Sequence, residues 1–554
     1  MVGKTVVVSF AGERLPVLAG TPVGEFLQNF WGELPLDVLA ALVNRRMVML
    51  DFPLRGLQVE VEAVRLGSHL GETVLRRSAA LLLLAAAVEL YPESRLVVGQ
   101  SLSGGYFFSW HSPVPLTQEV AHSLAREMER LCKEDVPLTR SVITLEEAEA
   151  IFRARGETSK LQLLATHRSS TVPVVTCGSF TDIAHGPVAP SAGRVRGWAL
   201  VPYEDGLLLR FAKNGSQQMP PLRPQPKLFA TYRETRKWNE TLGIANVGSL
   251  NSACLTGEIS EIIRIAEGFH EKKLAQIADA IAQRPQVRVV LVAGPSASGK
   301  TTFIKRLGIQ LRVCGLVPVG LSLDNYFVDR DKTPIDESGK PDYESIEALD
   351  LDLFNKQLVS LLAGEPVQVP KYDFPRGRRA EPELWTTLQL KPGEILVIEG
   401  IHALNPRLTE KVPEENKFRI FISALTQLTL DDHNRIFTAD TRLLRRIVRD
   451  RFFRGYSAVR TLEMWPSVRR GELRWIFPFQ EQADIMFNSA LVYEPAVLKP
   501  YAERFLLEVP REHPCYTEAY RLLKFLAWFV PVFQEDVPAT SILREFIGGS
   551  AFEY

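Results

Sequence analysis

Residues suited to binding phosphate stand together in Val287–Thr302, which reads VRVVLVAGPSASGKTT. A β-branched apolar run enters a loop between two glycines, and an amphipathic segment follows. Glycines let such a loop curl so that successive backbone N–H groups point inward, and the next helix adds its positive end. The lysine and threonine after the second glycine offer an ammonium for phosphate and a hydroxyl for Mg²⁺. The pattern favours a nucleotide-phosphate loop over a plain glycine-rich turn, with the members Gly294, Ser296, Ser298, Gly299, Lys300, Thr301 and Thr302.

Two acids end further apolar strands. Asp324 follows the predicted strand Val317–Leu323, and Glu399 closes the predicted strand Glu394–Glu399. The carboxyl ends of strands in an open α/β sheet line the crevice where ligands bind. An aspartate there can accept the proton of an attacking hydroxyl, and a glutamate can bind Mg²⁺. We expect Asp324 to be the general base, with a helix-capping role as the alternative, and Glu399 and Thr301 to hold magnesium.

An arginine-rich segment, Asp440–Arg474, contains ten arginines and no lysine against four acids. Arg442, Arg445, Arg446 and Arg449 recur at spacings of three and four, which places them on one side of a helix. The guanidinium group donates two parallel hydrogen bonds to phosphate and keeps its charge. The segment therefore predicts a lid over a bound triphosphate, although such a run is more often a solvated helix face.

The composition is that of an ordinary neutral protein. Its 554 residues exceed what a single core usually serves. Lys+Arg and Asp+Glu both number 65, so any contact with nucleic acid has to come from a local patch. Five scattered cysteines without a CxxC pair suit a reducing cytoplasm, and no segment resembles a signal peptide or a membrane span. We expect a cytoplasmic protein without a membrane partner.

The pattern of apolar residues divides the chain into five predicted segments. In order these are a β-grasp-like module with one helix over 1–64, an α+β domain over 65–212, a proline-rich linker and long helix over 213–285, a doubly wound parallel α/β domain over 286–490, and a helical cap without reactive residues over 491–554. Two local predictions complete this division. Val43–Arg46 is expected to be a strand, and His270–Lys273 a solvated helix face.

Five stretches of the second half occur in this order: AGPSASGKTT, LSLDNYF, VPKYDF, LVIEGIHAL and DTRLLRRIVRDRFFRG. Through them residues 286–490 resemble the uridine kinase and phosphoribulokinase family. The resemblance implies a P-loop kinase fold, ATP and Mg²⁺, and an arginine-bearing lid. It implies the following roles: Lys300, Asp324 and Arg446 in catalysis, Arg442, Arg445 and Arg454 toward the nucleotide, and Glu344, Tyr372 and Asp324 toward the acceptor.

The acceptor side departs from that family. Where uridine kinases have Asn-Tyr-Asp-His-Pro-Asp-Ala-Phe-Asp, this chain has DYESIEALD from Asp342 to Asp350. Glu344 stands at the position of the ribose-holding aspartate, and Ser345 replaces the neighbouring histidine. Tyr456 follows Arg454-Gly455 where the family has another arginine. The resemblance therefore supports ATP as the donor and leaves the acceptor open.

The front half carries LAALVNRRMV, GETVLRRSAALLLLAAAVELYPESRLVVG, GYFFSW, AEAIFRARGETSKLQLL and GSFTDIAHGPVAPSAGRV. These stretches resemble the ubiquitin-like TGS module and the editing-type domain of threonyl-tRNA synthetases. In that family the editing domain has an HxxxH and a CxxxH. Here the four positions are Arg77, Leu81, Ala184 and Val188, with His185 one residue away. We expect a domain that no longer hydrolyses anything and serves as a scaffold or as an RNA-recognition surface.

Two functions from different classes follow from these patterns. The first is an ATP-dependent kinase that phosphorylates a nucleoside or a related small alcohol. The second is a tRNA-binding protein whose P-loop domain phosphorylates RNA or acts as an ATP-driven switch. A pseudo-kinase scaffold is a third interpretation, which the intact Lys300, Thr301, Asp324 and Glu399 disfavour. The sequence leaves the oligomeric state open.

Overall fold

The computed structural model describes residues 5–213, 215–216, 218–337 and 339–553. Residues 1–4 of the predicted β-grasp-like module, and Asn214 and Gln217 of the predicted linker, lie outside the described residues. Among the described helices, none combines the length and the apolar character that crossing a bilayer demands.

The opening module is a five-stranded sheet with one helix. Its elements are β1 Thr5–Phe10, β2 Glu13–Leu18, α1 Val23–Trp31, β3 Val38–Val43, β4 Arg46–Val48 and β5 Gln58–Arg65. The strand order is β2-β1-β5-β3-β4, in which β1 and β5 run parallel. The prediction of a strand over Val43–Arg46 is wrong, because Asn44 and Arg45 have φ of 49° and 62° and form the turn between β3 and β4. The sequence pattern missed this left-handed pair.

The second segment packs helices against two antiparallel sheets. Its elements are α2 His69–Leu90, β6 Arg95–Leu102, β7 Gly105–His111, α3 Gln118–Lys133, β8 Leu138–Thr144, α4 Leu145–Ala154, α5 Thr158–Leu164, β9 Thr171–Cys177, β10 Phe180–Ile183, β11 Trp198–Tyr203 and β12 Gly206–Phe211. The two strand orders are β11-β12-β7-β6 and β10-β9-β8. Helix α2 is capped by the Ser68 hydroxyl, and its aliphatic run lies in the core of this segment, which confirms a core helix.

Three helices lead to the second half: α6 Pro226–Thr241, α7 Val247–Thr256 and α8 Ile259–Ala282. The expectation of a solvated face at His270–Lys273 is wrong for His270, whereas Glu271 and Lys272 are exposed. His270 is buried against Phe487, and Glu271 accepts a hydrogen bond from Arg306. Burial lowers the pKa of His270 to about 3, so the ring is neutral. Helix α8 thus packs through this stretch onto the following domain.

The second half is built on a parallel sheet. Its elements are β13 Val289–Ala293, α9 Lys300–Val313, β14 Val317–Ser322, α10 Leu351–Leu362, β15 Val367–Val369, β16 Tyr372–Asp373, β17 Arg378–Arg379, β18 Thr386–Leu388, β19 Glu394–Glu399, β20 Lys417–Ser423, α11 Thr438–Phe453, α12 Ala458–Gly471, β21 Ile485–Asn488, α13 Glu494–Leu507, α14 Tyr516–Leu526 and α15 Arg544–Ile547. Strands β14, β19, β13, β20 and β21 are neighbours in that order, and all four pairs are parallel. The predicted doubly wound sheet is confirmed.

Both faces of this sheet are covered, as its continuous apolar strands require. Val290 and Val292 of β13 join the core that contains residues of α8 and α9, such as Ile277 and Phe303. The alternate residues of β13 join a separate core with Phe354 and other residues of α10. The central strand is therefore buried from both sides, and its carboxyl end is fixed where the phosphate loop begins.

One hydrophobic core crosses from the front half into the second half. Phe152 of α4 and Leu163 of α5 belong to the same cluster of buried side chains as Leu428 and Leu443 of the parallel domain. Burial of this kind holds elements together roughly in proportion to the apolar area removed from water. The front half is therefore packed against the second half through apolar contacts, while the five predicted segment bounds stay predictions.

Candidate active site

The phosphate loop has the backbone shape that its glycines predict. A Cβ at Gly294 would lie 2.1 Å from the carbonyl oxygen of Ile422, and Gly299 has φ of 83°. Ala297 also adopts a left-handed φ, of 58°. The ammonium of Lys300 donates hydrogen bonds to the carbonyl oxygens of Gly294 and Pro295 at 2.8 and 3.1 Å. The loop is therefore closed around its lysine.

A buried hydroxyl inside this loop is without a partner. The Oγ atom of Ser298 is inaccessible to solvent and has no hydrogen-bond partner among the described residues. Buried polar atoms in folded proteins are normally hydrogen-bonded, so one left over marks a place for a ligand or a bound water. This hydroxyl and the glycine cradle fit a phosphate group.

The two predicted acids meet at the loop. Glu399 is in register with Val292 on one side and Ser322 on the other, and Asp324 lies two residues beyond Ser322. All three strands end at the same edge of the sheet, so the acids flank Lys300. Oxygen donors from carboxylates and a hydroxyl are the ligands that Mg²⁺ prefers. Glu399 and the Thr301 hydroxyl are donors of this kind, and their role as magnesium ligands stays a prediction.

The site shifts the proton affinities of its charged groups. Desolvation by the surrounding protein raises the pKa of Asp324, and the positive charges of Lys300 and Arg454 partly oppose this increase. Burial likewise raises the pKa of Glu399. Burial lowers the pKa of Lys300, and the neighbouring Glu399 and Asp324 counteract this. A carboxylate with a raised pKa is a stronger base, which suits Asp324 to accept a proton.

Arginines of helix α11 donate hydrogen bonds to the phosphate loop. The guanidinium groups of Arg442 and Arg445 are fully buried and donate to the carbonyl oxygens of Ser296 and Ala297 at 3.1 and 3.3 Å. Arg446 donates to the Ser296 hydroxyl at 3.0 Å. Arg442 and Arg445, predicted to contact the nucleotide, and Arg446, predicted to act in catalysis, are thus engaged with the loop itself. Their direct contact with a triphosphate stays a prediction.

Sequence reasoning missed the acids that hold these arginines. Arg442 is paired with Glu472, and Arg445 with Glu494, through hydrogen bonds of 2.8 and 2.6 Å between buried groups. The partners lie 30 and 49 residues further along the chain, so no local spacing signals them. Arg454, in contrast, is about half exposed. Of the predicted lid arginines, it is the one with the most freedom to meet a ligand.

Glu344, which is predicted to contact the acceptor, lies near Arg446 and Lys300. Its Oε2 atom is buried and has no hydrogen-bond partner among the described residues. Burial raises its pKa to about 7, against the lowering effect of the nearby Arg446. His402 is buried near Glu344, and burial lowers its pKa to about 4. The residue predicted to contact the acceptor thus has a carboxyl whose pKa is near 7, with a neutral imidazole close by.

Tyr372 lies in an aromatic cluster at the same end of the domain. Its ring packs against Phe327 and Phe374, with centroids 5.7 and 5.0 Å apart. The side chain is only 8% exposed, and Phe374 is 52% exposed. Phe374 is therefore the more accessible ring, while a contact of Tyr372 with an acceptor stays a prediction.

The carboxyl-terminal segment reaches the phosphate loop. Glu545 accepts hydrogen bonds from the Thr302 backbone N–H at 3.2 Å and from the Thr302 hydroxyl at 2.9 Å. A Cβ on Gly299 would lie 2.4 Å from the side chain of Ile542. The predicted C-terminal cap therefore contacts the phosphate loop, and its lack of reactive residues stays a prediction. Because 243 residues separate the partners, the sequence pattern contained no signal for this contact.

The positions of the lost editing residues are filled. Arg77 donates to the carbonyl oxygen of Pro187 at 2.8 Å. His185 lies 3.3 Å from a carboxylate oxygen of Asp431 in the second half, and its ring is 5.0 Å from that of Trp528. The segment before α11 and the C-terminal region therefore occupy this part of the front domain.

A buried charge cluster joins the same two parts. The ammonium of Lys160 is fully buried, 3.2 Å from a carboxylate oxygen of Asp182 and 2.7 Å from Nδ1 of His433. Although burial lowers the pKa of Lys160, the surrounding acids raise it overall. At the edge, Arg95 pairs with Asp432 at 2.6 Å. The two halves are thus connected by ion pairs as well as apolar contacts.

Comparison with known proteins matches the two halves separately. Residues 289–493 match the family model described as Phosphoribulokinase / Uridine kinase family. The threonine–tRNA ligase of Nitratidesulfovibrio vulgaris is 28% identical over 195 residues, covering 35% of this chain and 30% of the ligase. That of Desulforamulus reducens is 30% identical over 185 residues, covering 33% and 29%. The chain thus spans less than a third of the length of these ligases.

Two solved structures are similar at low identity. One is described as a possible uridine kinase from Bacillus stearothermophilus, with 17% identity, a TM-score of 0.25 and coverage of 39% of this chain and all of that one. The other is D-glycerate 3-kinase from Cryptococcus neoformans, with 15% identity, a TM-score of 0.23 and coverage of 48% and 89%. The two comparisons divide the chain in the same way: residues 289–493, which contain the parallel sheet and its phosphate loop, match the model of the phosphoribulokinase and uridine kinase family, and the front half is similar to threonine–tRNA ligases.

Proposed function

We propose that the second half is an ATP-dependent phosphotransferase that transfers the γ-phosphate to a hydroxyl of a small acceptor. The observation that supports it best is the meeting of the phosphate loop, Asp324 and Glu399 at the carboxyl end of one parallel sheet. This is the place where open α/β sheets bind ligands. The match of residues 289–493 to a kinase family supports the same reaction class.

Each group has a role that its surroundings favour. Asp324 accepts the proton of the acceptor hydroxyl as that oxygen attacks the γ-phosphorus of ATP, whose bond to the β–γ bridging oxygen breaks to release ADP. Lys300 holds the outer phosphates, after its ammonium exchanges the carbonyl oxygens of Gly294 and Pro295 for phosphate oxygens. Thr301 and Glu399 would hold Mg²⁺, which neutralises charge on the phosphates when bound.

The acceptor side favours a nucleoside or a related polyhydroxylated alcohol. Glu344 offers a carboxyl with a buried oxygen that lacks a partner among the described residues. Such an oxygen gains a hydrogen bond when an acceptor hydroxyl enters, and a site of this kind rejects analogues that lack the hydroxyl. Since Ser345 stands at the position of the histidine typical of uridine kinases, uridine itself is one candidate among several.

A phosphate-transfer screen tests the proposal. The full chain is incubated with ATP labelled at the γ-phosphate and with nucleosides, sugars, sugar phosphates and other small alcohols. We expect labelled product with one acceptor class, and its loss in Asp324→Asn, whose amide cannot accept the proton. Glu410→Gln, an exposed acid in the same domain, is the matched control. Absence of acceptor-dependent turnover across the panel would refute the proposal and favour a pseudo-kinase scaffold.

The similarity of the front half to threonine–tRNA ligases supports a second candidate, a tRNA-binding protein whose P-loop domain phosphorylates RNA or acts as an ATP-driven switch. Filter binding with total tRNA at several salt concentrations tests it, because phosphate contacts weaken steeply as salt rises. Salt-sensitive binding, together with labelling of RNA in the phosphate-transfer screen, would favour this function. Equal retention of tRNA and of an unrelated RNA would count against it.

A further inference from the structure

The carboxylate of Glu545 lies where helix α9 offers its positive end. It accepts from the backbone N–H and the hydroxyl of Thr302, the third residue of α9, at 3.2 and 2.9 Å. The side chain of Glu545 is 8% exposed, so these are buried, charge-assisted hydrogen bonds. The first N–H groups of a helix have no partner inside the helix, and anions bind them readily. Glu545 thus serves as an anion bound at the loop.

The same donors belong to the phosphate site. Lys300 and Thr302 are the first and third residues of α9, and the Ser298 hydroxyl just before the helix is buried without a partner among the described residues. A nucleotide phosphate in this cradle requires the N–H groups at the start of α9. One N–H cannot fully serve a carboxylate and a phosphate oxygen together. The two anions therefore exclude each other at Thr302.

The neighbouring charges increase this conflict. The negative charge of Glu545, like those of Glu399 and Asp324, raises the pKa of Lys300. It also acts on Glu399, in the direction that raises the pKa of that acid. A polyphosphate entering the loop would meet this additional negative charge. Removal of the charge of Glu545 therefore favours an anionic ligand even before its hydrogen bonds are considered.

The segment around Glu545 keeps the carboxylate in place. Ile542 packs on Gly299, and the ring of Phe546 lies 5.0 Å from the guanidinium of Arg445. Both apolar side chains are fully buried. The Oε1 atom of Glu545 also lies 3.6 Å from Arg449, which gives the carboxylate another partner when it leaves Thr302. A change of the Glu545 side chain alone can therefore open the donors.

We propose that Glu545 is an internal competitor of the nucleotide phosphate, so that the C-terminal segment lowers the affinity of the loop for nucleotides. This inference rests on the proposed function, since it requires a nucleotide at the loop. The chemical basis is the exchange of a carboxylate for a phosphate on the N–H and hydroxyl of Thr302. The segment thereby sets the nucleotide concentration at which the site fills.

Calorimetric titration of the full chain with Mg·ATP tests the proposal. The proteins compared are the unchanged chain, Glu545→Gln, Glu545→Ala, Lys300→Ala and Glu553→Gln, an exposed acid of the same C-terminal segment. We expect Kd to fall by about tenfold or more in both Glu545 variants, because two charge-assisted hydrogen bonds and a repulsive charge are removed. Glu553→Gln should bind like the unchanged chain, and Lys300→Ala should bind much more weakly.

The other outcomes separate this proposal from the proposed function. Equal or weaker binding in both Glu545 variants, with Lys300→Ala still impaired, overturns the competitor and leaves the phosphotransferase intact. If none of the proteins binds ATP, the unchanged chain included, although all of them unfold at similar temperatures, the proposed function is overturned and this inference with it. Two variants of different size at position 545 guard against misfolding of one of them, and thermal unfolding is measured for each.

Discussion

Glu344→Gln should alter how the free energy of unfolding depends on pH, because it removes a titrating carboxyl with a buried oxygen. Burial raises the pKa of Glu344 from the ordinary 4.5 to about 7. Between these two values the folded protein keeps a proton that the unfolded chain has lost, so the stability that Glu344 contributes falls as pH rises. Glutamine resembles the protonated side chain and does not titrate. The variant should therefore become more stable than the unchanged protein as pH rises through this window.

The magnitude follows from the interval between the two values. At about 1.4 kcal/mol for each tenfold change in proton affinity, the interval corresponds to about 3 kcal/mol. Guanidinium chloride unfolding, followed by tryptophan fluorescence, is measured at several values between about pH 5 and pH 8. The exposed Glu410→Gln serves as the control. A free-energy difference between Glu344→Gln and the unchanged protein that does not vary with pH would refute the reasoning.

Three further predictions concern buried contacts. Glu494→Gln should lower the free energy of unfolding by about 3–5 kcal/mol, because Arg445 keeps a buried charge without its carboxylate; an unchanged denaturation midpoint would contradict this. Gly294→Ala should abolish ATP binding, because its Cβ would lie 2.1 Å from the Ile422 carbonyl oxygen, and calorimetry showing an unaltered Kd would disprove it. Lys160→Met should leave buried acids without their ammonium and lower the melting temperature; calorimetric melting at the original temperature would argue against that role.

The parallel sheet could be predicted because its strands are continuous apolar runs. Val289–Ala293 is buried throughout, and a run of this kind followed by a glycine loop has few alternatives. The acids at strand ends could be placed for the same reason, since parallel strands of one sheet end at one edge. The positions of Asp324 and Glu399 could therefore be predicted without knowledge of distant contacts.

The partners of charged side chains could not be predicted in this way. Helical spacing placed Arg442 and Arg445 on one side of α11, but it could not show whether that side faces a ligand or buried acids. The outcome depends on Glu472 and Glu494, which other elements bring to the helix. The strand predicted over Val43–Arg46 was wrong for a different reason, because the left-handed φ of Asn44 and Arg45 ends the strand that the preceding apolar residues form.

The front half contacts the second half at the segment that leads into helix α11. The backbone N–H of Val98 donates to the carbonyl oxygen of Asp432 at 2.7 Å, and Asp431 faces His185. Helix α11 begins at Thr438, a few residues after this contact, and carries the arginines that brace the phosphate loop. Any ligand that entered the region around His185 would have to displace these buried polar groups, which is costly. The front domain thus contacts the segment that leads into α11, and its role as a scaffold or as an RNA-recognition surface stays a prediction.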